Sequence, residues 1–213
     1  MDDENQVVLP AKREHTPVYT VGRGFASVLF RTLFPVQYHH ADRLSLEAPY
    51  ILVANHKSWI DPVILAVPCR DYEIRFVGKK ELTRNKLLAW LVGKLHMITV
   101  DRHNTDMQAM RQSMRALREG RVLGIFPEGT RHLPDLMSEV ETGTAVLALR
   151  ANVPLLPVYI SSKLRFLRRI HVYVGAPMDI SDLSAQGFDA QAVAQLTERI
   201  RETFLAMRSE SAQ

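Results

Sequence analysis

Short apolar runs alternate with segments of helical periodicity along most of the chain, and this alternation limits the possible folds more than any other feature. The apolar runs predict strands at residues 36–40, 50–54, 73–77, 98–100, 121–126, 153–160 and 170–174. Apolar residues at helical spacing predict helices at residues 18–34, 87–95, 105–119, 142–151 and 189–207, and Pro62 suits the first turn of a further helix. This pattern is typical of a single α/β domain with a mostly parallel central sheet flanked by helices.

The same pattern divides the chain into three parts. We predict a flexible N-terminus over residues 1–16, an amphipathic helix over residues 17–35 and the α/β domain over residues 36–209. In the amphipathic helix, Arg23 and Arg31 lie among apolar residues at helical spacing. Such a helix can either cap the core or rest on a lipid surface with its arginines toward anionic headgroups.

Charge and cysteine content restrict the partners and the compartment. The 27 Lys and Arg residues outnumber the 23 Asp and Glu residues, which suits a phosphorylated ligand, an acidic carrier, a membrane surface or a nucleic acid. Cys69 is the only cysteine, which excludes an internal disulfide and favours a reducing, cytosolic compartment. No stretch approaches the roughly 20 apolar residues of a membrane-spanning helix, and no secretory signal is apparent.

A basic patch near the C-terminal third is interleaved with apolar residues. It comprises Lys163, Leu164, Arg165, Phe166, Leu167, Arg168 and Arg169. Such a run can bind RNA or an acidic protein, and its mixture of apolar and basic residues also suits a membrane surface. No recognisable nucleic-acid motif accompanies it, so we expect no nucleic-acid partner.

A histidine and an aspartate lie on either side of a predicted strand-to-helix turn. His56 follows the strand at residues 50–54, Ser58 is a plausible helix cap, and Asp61 lies where the next helix begins. A turn between them lets the two side chains converge, and a carboxylate on one imidazole nitrogen leaves the other free to accept a proton. The pair is therefore a candidate general base, although each residue could instead satisfy local backbone groups.

Further polar residues follow other predicted strands. Lys79, Arg102 and the turn at residues 128–131 each come after a different strand, and sites in parallel sheets form beyond the carboxyl ends of the strands. Arg131 can hold a phosphate in a bidentate fork, while Lys79 and Arg102 supply further positive charge. Gly129 lets the backbone approach a ligand closely, and Glu128 can accept a hydrogen bond from a hydroxyl. Each has an ordinary alternative, such as a solvated strand end, a surface ion pair or a common turn.

The chain shows no G-x-S-x-G elbow, no P-loop and no cysteine placed as a nucleophile. A base without a protein nucleophile suggests that the substrate supplies the nucleophile. We therefore expect activation of a hydroxyl on a phosphorylated acceptor. The histidines show no metal-ligand spacing, and we predict no metal site.

Four motifs, in order, resemble those of the glycerolipid acyltransferases, most closely the 1-acyl-sn-glycerol-3-phosphate acyltransferases. They are NHKSWID at residues 55–61, GKKEL at 78–82 with VDR at 100–102, FPEGTR at 126–131 and VPLLPV at 153–158. The resemblance in order and spacing extends from about residue 36 to residue 180. Two departures concern the acidic segment SEVETG at residues 138–143, where many relatives carry a basic residue, and His132, where a small polar residue is common.

The resemblance implies a reaction and a site. His56, oriented by Asp61, would deprotonate the free glycerol hydroxyl of lysophosphatidate, which would attack the thioester of acyl-CoA or acyl carrier protein and give phosphatidate. The substrate-binding residues would by analogy be Lys79, Arg102, Glu128, Gly129, Thr130 and Arg131. No cofactor or metal is implied, and the expected location is the cytoplasmic, inner face of the cell membrane. Two alternatives stay open: an acyltransferase with another acceptor, such as glycerol 3-phosphate or another lysophospholipid, or a non-catalytic lipid-surface binding protein.

Overall fold

The computed structural model describes residues 15–101, 106–131, 135–185 and 188–212, so most of the predicted flexible N-terminus lies outside it. The strands are β1 (Val36–His39), β2 (Ile51–Ala54), β3 (Ile74–Lys79), β4 (Ile98–Val100), β5 (Val122–Ile125), β6 (Leu155–Ile160) and β7 (Ile170–Val174). The helices are α1 (Pro17–Thr32), α2 (Asp61–Ala66), α3 (Lys86–Lys94), α4 (Met107–Arg118), α5 (Gly143–Ala151), α6 (Ser181–Ser184) and α7 (Ala190–Ser211). Short 3₁₀ helices span Ala41–Ser45 and Lys80–Arg84. The predicted strands are confirmed, and α6 is an additional short helix.

The strands form one seven-stranded sheet in the order β1-β7-β6-β2-β5-β3-β4. All neighbouring pairs are parallel except β6 and β7, which confirms the prediction of a mostly parallel sheet. β2 lies at the centre, and all of its residues are buried. Its uninterrupted apolar sequence follows from this position, because a central parallel strand is covered on both faces.

Apolar side chains alternate between two cores, one on each face of the sheet. Ile51 and Val53 of β2 pack in the cluster that includes residues of α4, α5 and α7, whereas Leu52 and Ala54 pack in the cluster that includes residues of α1 and α2. This alternation is the two-residue period of a strand. Helices therefore flank both faces of the sheet, as the sequence predicts.

Helix α4 packs on the core through small side chains as well as through most of the residues that the sequence suggests. The helical spacing of Met107, Met110, Met114 and Leu117 predicts that these residues form a buried stripe. Leu117 is buried, and Met110 and Met114 are partly buried against the core, as predicted. Met107 is 50% exposed, so the prediction is wrong at this residue. The buried residues at the start and middle of the helix are Ala109, Ser113 and Ala116. Small side chains at these positions let the helix backbone approach the sheet closely.

Helix α1 is apolar on two sides. Thr16 caps its first turn by accepting from the Tyr19 N–H, and Tyr19, Ala26 and Phe30 are buried. The outer face carries Val21, Phe25 and Val28, which are 72%, 68% and 61% exposed. Capping of the core therefore uses only one face of the helix and leaves an apolar stripe exposed.

Candidate active site

His56 and Asp61 lie in contact at the carboxyl end of β2. The Nδ1 atom of His56 is 2.9 Å from Oδ2 of Asp61, and the aspartate is fully buried while the imidazole is partly exposed. The turn at residues 55–60 reverses the chain between the end of β2 and the start of α2, so residues five apart in sequence meet. The predicted convergence is confirmed by this geometry.

Asp61 also fixes the backbone of the turn. Its Oδ2 accepts the N–H groups of Lys57 (2.6 Å) and Ser58 (2.7 Å), and its Oδ1 accepts the Ser58 hydroxyl (2.7 Å). The prediction that Ser58 caps α2 is wrong, because the helix begins at Asp61 with Ile60 at the N-cap position. The serine hydroxyl is instead drawn to the buried carboxylate, which is a stronger acceptor than a neutral group.

Glu128 supports His56 from the neighbouring strand. It is buried after β5, where its Oε2 accepts the N–H of His56 (2.7 Å) and its Oε1 accepts the N–H of Met137 (3.0 Å). Gly129 has a φ of 63°, a conformation that favours glycine, and so allows the tight turn that follows. Within this turn the N–H groups of Gly129 and Thr130 donate to the carbonyls of Phe126 and Glu128. The geometry thus makes Glu128 a support for the His56 backbone, and its predicted contact with substrate stays a prediction.

An aromatic column packs against the imidazole. The ring of Phe126 stacks on His56 with centroids 4.1 Å apart, and Phe76 stacks on Phe126 at 6.1 Å. Gly124 makes room for this column, because a Cβ there would lie 2.4 Å from the Phe76 ring. Phe126 belongs to the third motif, but its residue type alone did not indicate that it would pack against the histidine.

Asn55 is a further residue that the sequence reasoning missed. Its fully buried amide donates to the carbonyl of Ile160 (3.0 Å) and accepts from the N–H of the same residue (2.7 Å). The side chain therefore continues the β2–β6 pairing beyond the last residue of β2. A buried asparagine directly before the histidine was the available signal, since a buried amide needs partners.

Three of the remaining predicted site residues, Lys79, Thr130 and Arg131, lie at the same edge of the sheet. Lys79 is exposed at the end of β3, Thr130 is half-buried and Arg131 is exposed after β5. Because Val53 pairs with Ile125 and Phe76 with Gly124, the carboxyl ends of β2, β5 and β3 lie side by side. Arg102 and His132 lie outside the described residues.

A cavity of about 330 Å³ adjoins this edge. Its lining includes Val77, Val100, Met110, Ile125, Phe126 and Leu147, with Asp101, Asp106 and Glu141 among the polar members. Phe126, whose ring stacks on His56, is one of its lining residues, whereas His56 itself does not line it. The Asp106 carboxylate accepts the Asp101 N–H and caps α4 through the N–H groups of Gln108 and Ala109. These hydrogen bonds lower the pKa of Asp106, and the bond from the Asp101 N–H has the largest effect.

Comparisons with known proteins identify the family of the chain and proteins that it resembles. Residues 35–161 match the model of the Acyltransferase family. A 1-acyl-sn-glycerol-3-phosphate acyltransferase of Streptococcus pneumoniae is 29% identical over 92% of this chain and 75% of its own. One of Bacillus subtilis is 28% identical over 78% of this chain and 87% of its own. The crystal structure of the acyltransferase PlsC from Thermotoga maritima superposes with a TM-score of 0.71 at 22% identity, covering 92% of this chain and 80% of that one, and so shares the fold.

The family match covers more than half of the chain and contains the His56–Asp61 pair and the turn after β5. The chain therefore belongs to the acyltransferase family and is an enzyme of the O-acyltransferase type.

Proposed function

We propose that this acyltransferase transfers a fatty acyl group from a thioester donor to the free hydroxyl of lysophosphatidate and so forms phosphatidate. The observation that carries the proposal is the partly exposed imidazole of His56 held by the buried carboxylate of Asp61. The Streptococcus and Bacillus relatives are named for acylation of 1-acyl-sn-glycerol 3-phosphate, which supports lysophosphatidate as the acceptor.

His56 acts as the general base. Donation from Nδ1 to Asp61 leaves Nε2 as the basic nitrogen, which takes the proton of the acceptor hydroxyl while the hydroxyl oxygen attacks the thioester carbonyl. The buried carboxylate stabilises the imidazolium that results. Collapse of the tetrahedral intermediate breaks the carbon–sulfur bond, and the departing thiolate takes the proton from Nε2. These steps need no metal, cofactor or covalent enzyme intermediate.

The exposed cations at the sheet edge hold the phosphate of the acceptor. Arg131 and Lys79 lie at the ends of β5 and β3, on the same side of β2, and a guanidinium matches phosphate geometry with two parallel bonds. Thr130 and the backbone at Gly129 border the same turn. Glu128 contributes by keeping this turn in contact with the His56 backbone.

The cavity next to His56 suits the acyl chain. Val77, Ile125 and Phe126 give the cavity an apolar wall. An acyl chain in the cavity would bring the thioester carbonyl toward the imidazole, because Phe126 both lines the cavity and stacks on His56. Burial of the chain would also provide binding energy away from the reacting atoms.

We place the enzyme at the inner face of the cell membrane. Among the residues that the structure describes, no helix has the length and hydropathy needed to cross a bilayer. The exposed stripe Val21, Phe25 and Val28 on α1 offers an apolar surface for peripheral attachment. Trp59 in the active-site turn and Trp90 on α3 are also exposed.

A matrix of donors and acceptors tests the proposal. Purified protein is supplied with oleoyl-CoA or oleoyl carrier protein, and with lysophosphatidate, glycerol 3-phosphate or lysophosphatidylcholine. We expect turnover with lysophosphatidate and a loss of about 10²–10⁴-fold in His56→Ala, since that is the usual contribution of a general base.

The other outcomes separate the alternatives. Turnover confined to another acceptor would keep the mechanism and replace the substrate. Folded wild-type protein that turns over none of the pairs in the presence of lipid would point to the non-catalytic lipid-binding protein.

A further inference from the structure

The loop between β6 and β7 ends in an exposed apolar pair. We call residues 163–169 the β6–β7 tip. Arg165 and Arg168 form an antiparallel bridge across it, which puts Phe166 and Leu167 in the turn, 61% and 63% exposed. Leu167 has a φ of 53°, a left-handed conformation that is usual for glycine or asparagine and uncommon for leucine. A large apolar side chain thus occupies a turn position where backbone preference favours a small polar one.

The tip packs on the end of α1 and makes one surface with it. The N–H of Leu167 donates to the carbonyl of Leu33 (2.8 Å), and the Phe166 ring meets Phe34 edge-on with centroids 5.9 Å apart. Leu33 is itself exposed just after α1, and Val28 is exposed five residues before it on the helix. The tip therefore adds exposed apolar side chains beside the C-terminal end of α1.

The charged residues in the two segments that form this surface have one sign. The tip carries Lys163, Arg165, Arg168 and Arg169, and α1 adds Arg31, all of them exposed. No Asp or Glu occurs between residues 15 and 41 or between residues 161 and 178, the segments that form the surface. Apolar side chains surrounded by cations complement an anionic bilayer, in which the cations meet headgroups and the apolar groups reach the acyl boundary.

The β6–β7 tip leaves the sheet at the edge where His56 lies. Asn55, next to His56, bonds both backbone groups of Ile160, the last residue of β6, and the loop with the tip starts directly after it. Because β6 and β2 are parallel, the tip leaves the sheet at the same edge as the histidine. We propose that the tip inserts Phe166 and Leu167 into an anionic lipid surface and so holds the His56 edge against the bilayer. The proposal rests on the proposed function for the benefit to catalysis, but the insertion is tested separately.

A site-specific fluorophore tests the insertion. Cys69 is fully buried, and burial raises the pKa of its thiol to about 11, so a cysteine introduced at an exposed site is labelled selectively. Leu167→Cys carries an environment-sensitive dye, and Leu205→Cys on α7, where the leucine is 37% exposed, is the matched control. Vesicles contain phosphatidylcholine alone or with an equal amount of phosphatidylglycerol.

We expect a blue-shifted, brighter emission from position 167 with phosphatidylglycerol vesicles only, and no change from position 205. Vesicles that bind the protein without any response at position 167 would overturn the proposal. So would binding of the tip to RNA or to an acidic protein in place of these vesicles.

A double variant measures the contribution of the tip. Phe166→Ser with Leu167→Asn removes the apolar groups while asparagine tolerates the left-handed conformation. We expect the partition coefficient onto phosphatidylglycerol vesicles to fall at least about tenfold, or about 1.4 kcal/mol. Turnover of a short-chain lysophosphatidate that stays monomeric should match that of the wild type, and Leu205→Ser should change neither.

An unchanged partition coefficient in a variant with a normal thermal melt would refute the insertion. In one further outcome the wild type binds the vesicles but turns over no lysophosphatidate, while the double variant loses vesicle binding. In that case the proposed function fails and the proposed membrane surface stands.

Discussion

Replacing Asp61 by asparagine separates two contributions of this residue, its charge and its geometry. Oδ2 accepts three donors, from His56 Nδ1 and the N–H groups of Lys57 and Ser58, while Oδ1 meets the Ser58 hydroxyl. In Asp61→Asn the N–H groups of Lys57 and Ser58 still need an acceptor, so the amide oxygen takes the place of Oδ2. The amide NH₂ then faces the Ser58 hydroxyl, which can accept. His56 should therefore keep the tautomer that donates from Nδ1, and only the negative charge is lost.

The cost of that charge can be worked out from the geometry. Unit charges about 4 Å apart interact by about 4 kcal/mol at an effective dielectric constant near 20. The imidazolium forms only as the proton is transferred, so this loss falls on the barrier and lowers kcat by about 10³-fold. In Asp61→Asn the hydrogen bonds to the carboxylate become weaker, neutral hydrogen bonds. Folding of the variant, however, no longer requires the desolvation of a buried negative charge. The free energy of unfolding should therefore change by less than about 2 kcal/mol.

The assay is steady-state release of the thiol from oleoyl-CoA with saturating lysophosphatidate, with thermal melts and ¹⁵N NMR of His56 in parallel. Asp61→Leu is the contrasting variant, because it leaves the N–H groups of Lys57 and Ser58 without their acceptor and should lower stability clearly. An Asp61→Asn enzyme with kcat within about tenfold of the wild type would refute the role of the charge. A proton on Nε2 in that variant would refute the predicted amide orientation.

Two further perturbations address binding and stability. Arg131→Ala should raise the KM for lysophosphatidate about 10- to 100-fold with little change in kcat, since hydrogen bonds to charged groups contribute about 1.5–3 kcal/mol; equal KM values would count against the phosphate contact. The pKa of His39 is lowered by desolvation and by its neighbours His171 and His40, so the unfolded chain binds the proton first as pH falls. The free energy of unfolding should therefore decrease from about pH 6.5 downward to the folded pKa. His39→Phe, which keeps the stack on Tyr173, should reduce that slope, and equal slopes in urea titrations would contradict this origin.

The parts of the molecule that the sequence predicts are those set by local patterns. Strands and most helices follow from apolar periodicity, and the contact of His56 with Asp61 spans only one turn, so its geometry is local. The role of Glu128 was not predictable in this way, because its partner His56 lies 72 residues away and depends on the pairing of β2 with β5. The burial of Ala109, Ser113 and Ala116 on α4 was missed for a related reason, because how closely a helix approaches the sheet depends on tertiary packing rather than on apolar periodicity.

The site combines a rigid base with exposed binding groups. Residues 55–58 follow the end of β2, and side chains hold them from three directions: Asn55 joins Ile160, Glu128 takes the His56 N–H, and Asp61 takes the next two amides. Three buried polar side chains are thus used to fix the position of one imidazole, and a fixed base needs little reorganisation in the transition state. Arg131 and Lys79, in contrast, are long and exposed. Substitutions among such cations can change the acceptor without disturbing the base, and we therefore expect acceptor choice to be the property most easily altered in this enzyme.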